Sequence, residues 1–324
     1  MGRGAEQSIG RKALLALALG VAALAPLWVL EGFHLFQLTL AIIMSLAVLG
    51  LNIVSGYNGQ ISLGHGAFFA IGAYATAILM DQFQWPFLAT LPVAAMLCGV
   101  VGYGVGLPAL RLGGLYLALV TFSLAVAVPQ LLKHRALESW SGGVQGLFLT
   151  KPDAPAWLPL DADHYTYLTV LIIAAGCYLL SWNLIRGRIG RALIATRDHP
   201  TAAEAMGMDI ARLKTMAFAV SAMITGIAGG LSAVAVEFVA PDSFSFALSI
   251  TFFVGMVVGG VASIWGSFFG GIFVLFVPNI AENISRSAPG VIYGVILILF
   301  LYVMPLGVAG LLNRILRRLG LSRS

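Results

Sequence analysis

Arg186 to Lys214 reads RGRIGRALIATRDHPTAAEAMGMDIARLK, a basic stretch of six Lys/Arg set between two apolar runs, Tyr165 to Ile185 and Thr215 to Val236. The side of a membrane on which it sits fixes the direction of every other segment. Within it, Pro200 is tolerated only in a first helical turn, Thr201 and Glu204 have the spacing of a capping box, and Gly207 suits a left-handed terminator. A helix of one or two turns is expected there. Asp209 then offers a cap to a second helix that carries Arg212 and Lys214 into the next apolar run. So short a helix is marginal in water, because nucleation is unfavourable and few bonds repay it, and it needs a surface to dock on. The residues alone leave two readings level: a helix held by a partner protein, and a basic loop helix lying on lipid headgroups.

Hydrophobic residues make up 60% of the chain and charged residues 10%, and the mean hydropathy is +0.96, which excludes a soluble globular protein. An all-α polytopic membrane protein with a single transmembrane domain over residues 1–324 is expected. The charge-free runs are Ala13 to Leu30, Gly32 to Met80, Gln82 to Leu110, Leu112 to Leu132, Tyr165 to Ile185, Thr215 to Val236, Ser243 to Ala281 and Ser287 to Asn313. A crossing helix needs about 20 apolar residues. The long runs divide at Ser55 to Gly59 and near Gly259 to Trp265, which brings the expectation to about ten transmembrane helices.

With the N-terminus inside, fourteen of the 18 Lys/Arg fall in the cytoplasm and nine of the 13 acids fall outside, so both termini are expected to be cytoplasmic. Lys133, Arg135, Lys151 and Arg286 are the exceptions. Arginines beside anionic headgroups explain the sequence pI near 9.4 without a nucleic-acid partner. Cys98 and Cys177 lie within apolar runs, so neither a disulfide nor a metal site is indicated, and no cofactor is called for. Met1 to Leu30 has a basic head like a signal peptide, but its apolar run is longer than usual and reads as a retained first span. Arg111 with Gly113-Gly114 reads as a tight cytoplasmic turn.

The stretch from Asn52 through SGYNGQISLGHGAFFAIGAYATA gathers Asn58, Gln60, Ser62 and His65 among five glycines at membrane depth or its edge. Polar groups there are costly unless paired, and broken backbone survives only where protein buries it or a cavity runs past it. Asn52, Gln60, Ser62 and His65 are therefore candidates for a translocation path, against the alternative that they cap and pack a glycine-rich helix start. Lys133 to His164 is the longest hydrophilic stretch and is expected outside, as a loop anchored by Trp140 and Trp157 that has room for a short interfacial helix or an external partner. Glycines four apart (Gly102/Gly106, Gly226/Gly230, Gly255/Gly259, Gly266/Gly270, Gly290/Gly294) permit close helix packing. Gly66-Ala67-Phe68-Phe69 resembles Gly266-Ser267-Phe268-Phe269, a weak sign of inverted halves, since the motifs follow spans that do not correspond under inversion.

No GxxxxGK[ST] loop, HExxH or GxSxG motif occurs, and the apolar runs lack the mid-span acids or arginines of a proton-coupled carrier. Energy must come from another chain, unless the protein is a self-contained facilitator or channel. At this point four segments in order, SGYNGQISLGHGAFFAIGAY, ATRDHPTAAEAMGMDIARLKTMAFAVSA, PDSFSF and VVGGVASIWGSFFGG, resemble the permease subunits of bacterial ABC importers for branched-chain amino acids, the M type in particular. The likeness runs from about Ile42 to Leu306. It implies a bacterial inner-membrane protein that is itself no enzyme. It further implies a pore formed with a sister permease, two cytoplasmic ATP-binding subunits, and a periplasmic protein that delivers Leu, Ile or Val. Related permeases for urea and short amides carry similar motifs. The segment Ala203-Glu204-Ala205 with Gly207 resembles the family's ATPase-coupling helix. Thr201 and Glu204 are assigned to capping, Ala202, Ala203, Ala205 and Met206 to the contact surface, and Arg197 and Asp198 to polar contacts at its edge.

Overall fold

A computed structural model describes residues 24–30, 32–109, 114–155, 158–284 and 288–318. Most of the expected first span lies outside these residues, as do Arg111, Gly113, Trp157 and Arg286.

Apolar runs fold as helices because only the helical ladder satisfies a backbone that has no water to bond. After α1 (Pro26–Val29), α2 (Phe33–Leu51) runs straight into a π-helical turn, Asn52–Tyr57, and the chain then opens before α3 (His65–Asp81). α4 (Phe87–Ala109) and α5 (Leu115–Leu132) follow. The polar loop holds the short helix α6 (Glu138–Ser141) and β1 (Leu147–Phe148), and ends at α7 (Ala162–Arg186). Two short helices, α8 (Arg188–Asp198) and α9 (Pro200–Ala205), lead to α10 (Ile210–Val236). β2 (Phe238–Val239) pairs antiparallel with β1, Leu147 opposite Val239 and Phe148 opposite Phe238, a small departure from an all-α chain. A 3-10 turn (Pro241–Phe244) opens α11 (Phe246–Gly259), and α12 (Ile264–Ile284), α13 (Pro289–Val303) and α14 (Gly307–Arg318) follow.

Among the described residues, six stretches are long and apolar enough to cross a membrane: Phe33–Tyr57, Phe87–Leu107, Ala162–Arg186, Ile210–Val236, Ile264–Ile284 and Pro289–Ile315. Tyr116–Leu132 and Phe246–Gly259 are shorter apolar helices. The protein's own packing sorts them: 72% of the apolar window of Phe33–Tyr57 and 67% of that of Ile210–Val236 are buried, against 11% for Pro289–Ile315. α2 and α10 are thus the axis, and α13 is the rim.

Lipid supplies no hydrophobic force between helices, so close packing has to come from small residues. A side chain at Gly72 would run into the Gly226 carbonyl, and one at Gly229 into the Phe69 carbonyl, so α3 and α10 touch backbone to backbone. Gly102 and Gly106 of α4 likewise face Ala222, Thr215 and Phe218 of α10, and Gly255 and Gly259 of α11 meet Gly270 and Gly266 of α12. Gly290 and Gly294 depart from the expectation of packing, because nothing lies within 4 Å of where their side chains would begin. The two similar motifs share a local position, since Gly66 and Gly266 each stand in the first turn of a helix that follows a break.

The polar connections collect at two ends. At one, Lys151 reaches Asp163 at the start of α7 (2.8 Å) and Glu237 at the close of α10 (3.3 Å), and Lys133 pairs with Asp242 (2.5 Å). Two of the four cations that break the charge bias are therefore neutralised by acids assigned to the same side. The other end holds α8, α9 and the break after α2.

Candidate functional site

Pro200 decides the shape of the basic loop. It disfavours a helical residue before it, so α8 ends at Asp198 and the chain bends at His199 (φ −143°, ψ 78°). The His199 amide closes α8 by donating to the Ala195 carbonyl (3.0 Å), and its carbonyl opens α9 by accepting from the Ala203 amide (3.0 Å). Gly207, at φ +80°, stops α9 as expected. Its amide donates to the Glu204 carbonyl (2.9 Å) and the Met208 amide to the Ala203 carbonyl (3.1 Å), the double bond pattern of a Schellman turn. Asp209 then caps α10 by accepting from the Arg212 amide (2.9 Å).

Two assignments in this loop are corrected. Thr201 does not cap α9: with Pro200 at the first helical position the cap falls on His199, Thr201 lies two residues too far in, and no side-chain cap bond forms at this terminus. Glu204 consequently has no capping-box partner. Ala203 is 4% exposed and packs into its own chain, so it does not belong to an open contact surface. Thr201, Ala202, Glu204 and Ala205 are exposed, and Met206 is 81% exposed.

Arg197 turns inward from the end of α8. Its Nε donates to Asp198 Oδ1 (2.8 Å) and its Nη1 to the Gly56 carbonyl (2.8 Å). The guanidinium, through that hydrogen bond and its charge, holds the Asp198 carboxyl below the usual carboxylate range.

The four path candidates come together around the break after α2, each bonded within the chain. Asn52 Oδ1 accepts from the Ala262 amide (2.8 Å), and its Nδ2 donates to the Ser263 carbonyl (2.9 Å), Ser267 Oγ (3.0 Å) and the Gly260 carbonyl (3.3 Å). One buried amide therefore bridges the break after α2 and the break between α11 and α12. Ser221 Oγ donates its one hydrogen to the Gly50 carbonyl (2.6 Å), so it accepts from His65 Nε2 (2.6 Å). In the neutral imidazole Nδ1 then accepts from Ser62 Oγ (2.9 Å), and both ring nitrogens are committed. Gln60 Oε1 accepts from Asn58 Nδ2 (2.5 Å). Of the four, Gln60 lines a cleft of about 160 Å³ beneath α9, with Asn58, Arg197 and Lys214 among its other walls. The partners Ser221, Ser263 and Ser267 were not singled out from the sequence; isolated serines in apolar runs carry no signal until the fold brings them opposite an amide or an imidazole.

Residues 34–304 match the family described as Branched-chain amino acid transport system / permease component. The chain is 33% identical over 248 residues to the high-affinity branched-chain amino acid transport system permease protein LivM of Escherichia coli strain K12, covering 69% of this chain and 58% of the relative. It is 31% identical over 281 residues to LivM of Salmonella typhimurium, covering 80% of this chain and 66% of the relative. It is also 25% identical over 292 residues to the E. coli K12 permease protein LivH, covering 84% and 92%. The chain thus spans less than two thirds of the length of these two LivM relatives. No solved structure matches it. With six helices among the described residues long and apolar enough to cross a membrane, this is a multi-pass membrane protein. It belongs to the branched-chain amino acid transport system permease family.

Proposed function

We propose that the chain is the M-type permease subunit of an ATP-driven importer for the branched-chain amino acids Leu, Ile and Val. It forms the pore with a sister permease, two cytoplasmic ATP-binding subunits supply the energy, and a periplasmic binding protein delivers the substrate. It crosses the bacterial inner membrane ten times, with both termini and residues 186–214 in the cytoplasm and residues 133–164 in the periplasm. The apolar outer faces, α13 above all, are left for lipid and the sister subunit.

The observation that carries this reading is α9: two turns, too short to stand alone, yet fixed in shape by Pro200 and by the turn at Gly207 and presented outward. Its docking face is Thr201, Ala202, Glu204, Ala205 and Met206, while Ala203 seats it and Gly207 ends it. Short alanine side chains let a partner's groove close on the helix backbone. Gln60 is the path residue at the open cleft. Asn52, Ser62 and His65 act on the path through the walls they bond together.

Topology is tested by cysteine labelling of intact cells, since Cys98 and Cys177 are both buried and give little background. A membrane-impermeant maleimide should label Val144→Cys, 67% exposed in the polar loop, and should reach Met206→Cys only after the membrane is opened. Labelling of Met206→Cys from outside would overturn the proposal.

A further inference from the structure

Arg197 sits where the loop meets the break after α2, and its surroundings differ from those of a partner-facing arginine. It reaches the Gly56 carbonyl in the last turn of the π segment, where helix geometry leaves carbonyls without backbone donors. Gly59 makes the approach possible, because a Cβ there would stand 2.6 Å from Arg197 Cγ. Gly56 in turn presses against the Asn52 carboxamide and the Ala262 amide, so closely that no side chain fits. Between the guanidinium and Asn52 there is thus one turn of backbone and no soft side chain to absorb movement. Beyond Asn52 the bonds continue to Ala262, Ser263 and Ser267. On the loop side, Asp198 fixes the guanidinium and His199 and Pro200 begin α9 directly.

We propose that Arg197 is a positioning residue of the transport cycle, fastening the root of α9 through Gly56 to Asn52, so that displacement of α9 moves both helix breaks as one body. The inference rests on the docking role assigned to α9 above. It takes Arg197 out of the ATPase contact surface and makes it the first link inside the permease.

The test uses the full complex in proteoliposomes, with labelled leucine and ATP. Arg197→Ala should retain the ATP-binding subunits and continue to hydrolyse ATP, while leucine imported per ATP falls by about tenfold or more, the scale of one charge-assisted hydrogen bond. Arg197→Lys, which can still donate to the Gly56 carbonyl, should recover a large part of the loss. A spin-label pair at His199, at the root of α9 and outside its docking face, and Val261, both exposed, reads the linkage directly. Its separation should stay constant on ATP binding in the otherwise wild-type chain and change in Arg197→Ala. Unaltered leucine per ATP in Arg197→Ala, or loss of the ATP-binding subunits from that variant, would overturn the relay. No ATP-dependent uptake by the wild-type complex would instead remove the importer reading, and the relay with it.

Discussion

At the end of the bundle that holds Lys133, Lys151, Asp163, Glu237 and Asp242, charges hold the connections: Lys151 between Asp163 and Glu237, and Lys133 on Asp242, the acids 47% to 71% exposed. At the end beneath α9 the ties are neutral and buried, an amide at Asn52 and the Ser62, His65 and Ser221 chain, with Arg197 as the charged member at the margin. Exposed ion pairs gain little, because water screens them and two long side chains must be held in place. Buried amide and hydroxyl bonds have fixed directions, and leaving one unmade costs the whole desolvation of the orphaned group. The first end is lashed together and tolerates change; the second is a joint in which a displaced part takes its neighbours along. The drive from one side by a separate motor, proposed above, calls for that asymmetry.

The comparison breaks most sharply at Gly207. Proline there cannot adopt φ +80°, and the strain of about 3 kcal/mol or more falls on the turn that ends α9. Uptake should fall by roughly a hundredfold, the rate equivalent of about 3 kcal/mol, while the isolated subunit still inserts in the membrane and loses no more thermal stability than that local strain. Glu204→Arg, which alters only the exposed face, should give the same loss together with loss of the ATP-binding subunits on co-purification.

Asn52→Ala tests the buried joint itself. It leaves the Ala262 amide without its buried partner and takes one donor from the Ser263 carbonyl, which keeps the Ser267 amide, for an expected destabilisation of about 2 kcal/mol in thermal unfolding of the subunit. A loss below about 1 kcal/mol would mean that water takes the place of the carboxamide, and the two ends would then differ less than their chemistry implies.

The order of helices and the turns around α9 were legible in the sequence because each rests on a local rule: apolar run length, Pro200 at a first turn, Gly207 at a positive φ, Asp209 as a cap. Thr201 was misread because two local rules competed, and the proline's claim on the first helical position displaced the capping box. What Asn52, His65 and Arg197 do was not legible, since their partners lie far off in the chain and a polar residue in an apolar run looks alike whether it lines a path or bolts two helices together. The glycine pairs make the same point. Gly255/Gly259 and Gly290/Gly294 have one spacing, and the first is crowded by Gly270 and Gly266 while the second faces open space.

The smallest effect should come from the lashed end, at Lys151. Burial alone would push its pKa down, but the hydrogen bonds and charges of Asp163 and Glu237 outweigh burial and hold it above the ordinary lysine value. A folded-state pKa raised in this way contributes stability that is fully present below the unfolded value, about 10.4, and is lost as pH rises through the folded value above it. Both acids are about half exposed, so water discounts the pair. Lys151→Met should therefore cost about 1 kcal/mol of thermal stability at pH 8 and change uptake less than twofold. The gap between variant and wild type should close only in strongly alkaline solution. A loss of uptake as large as that of Gly207→Pro would place a moving joint at this end too, and the asymmetry between the two ends would be gone.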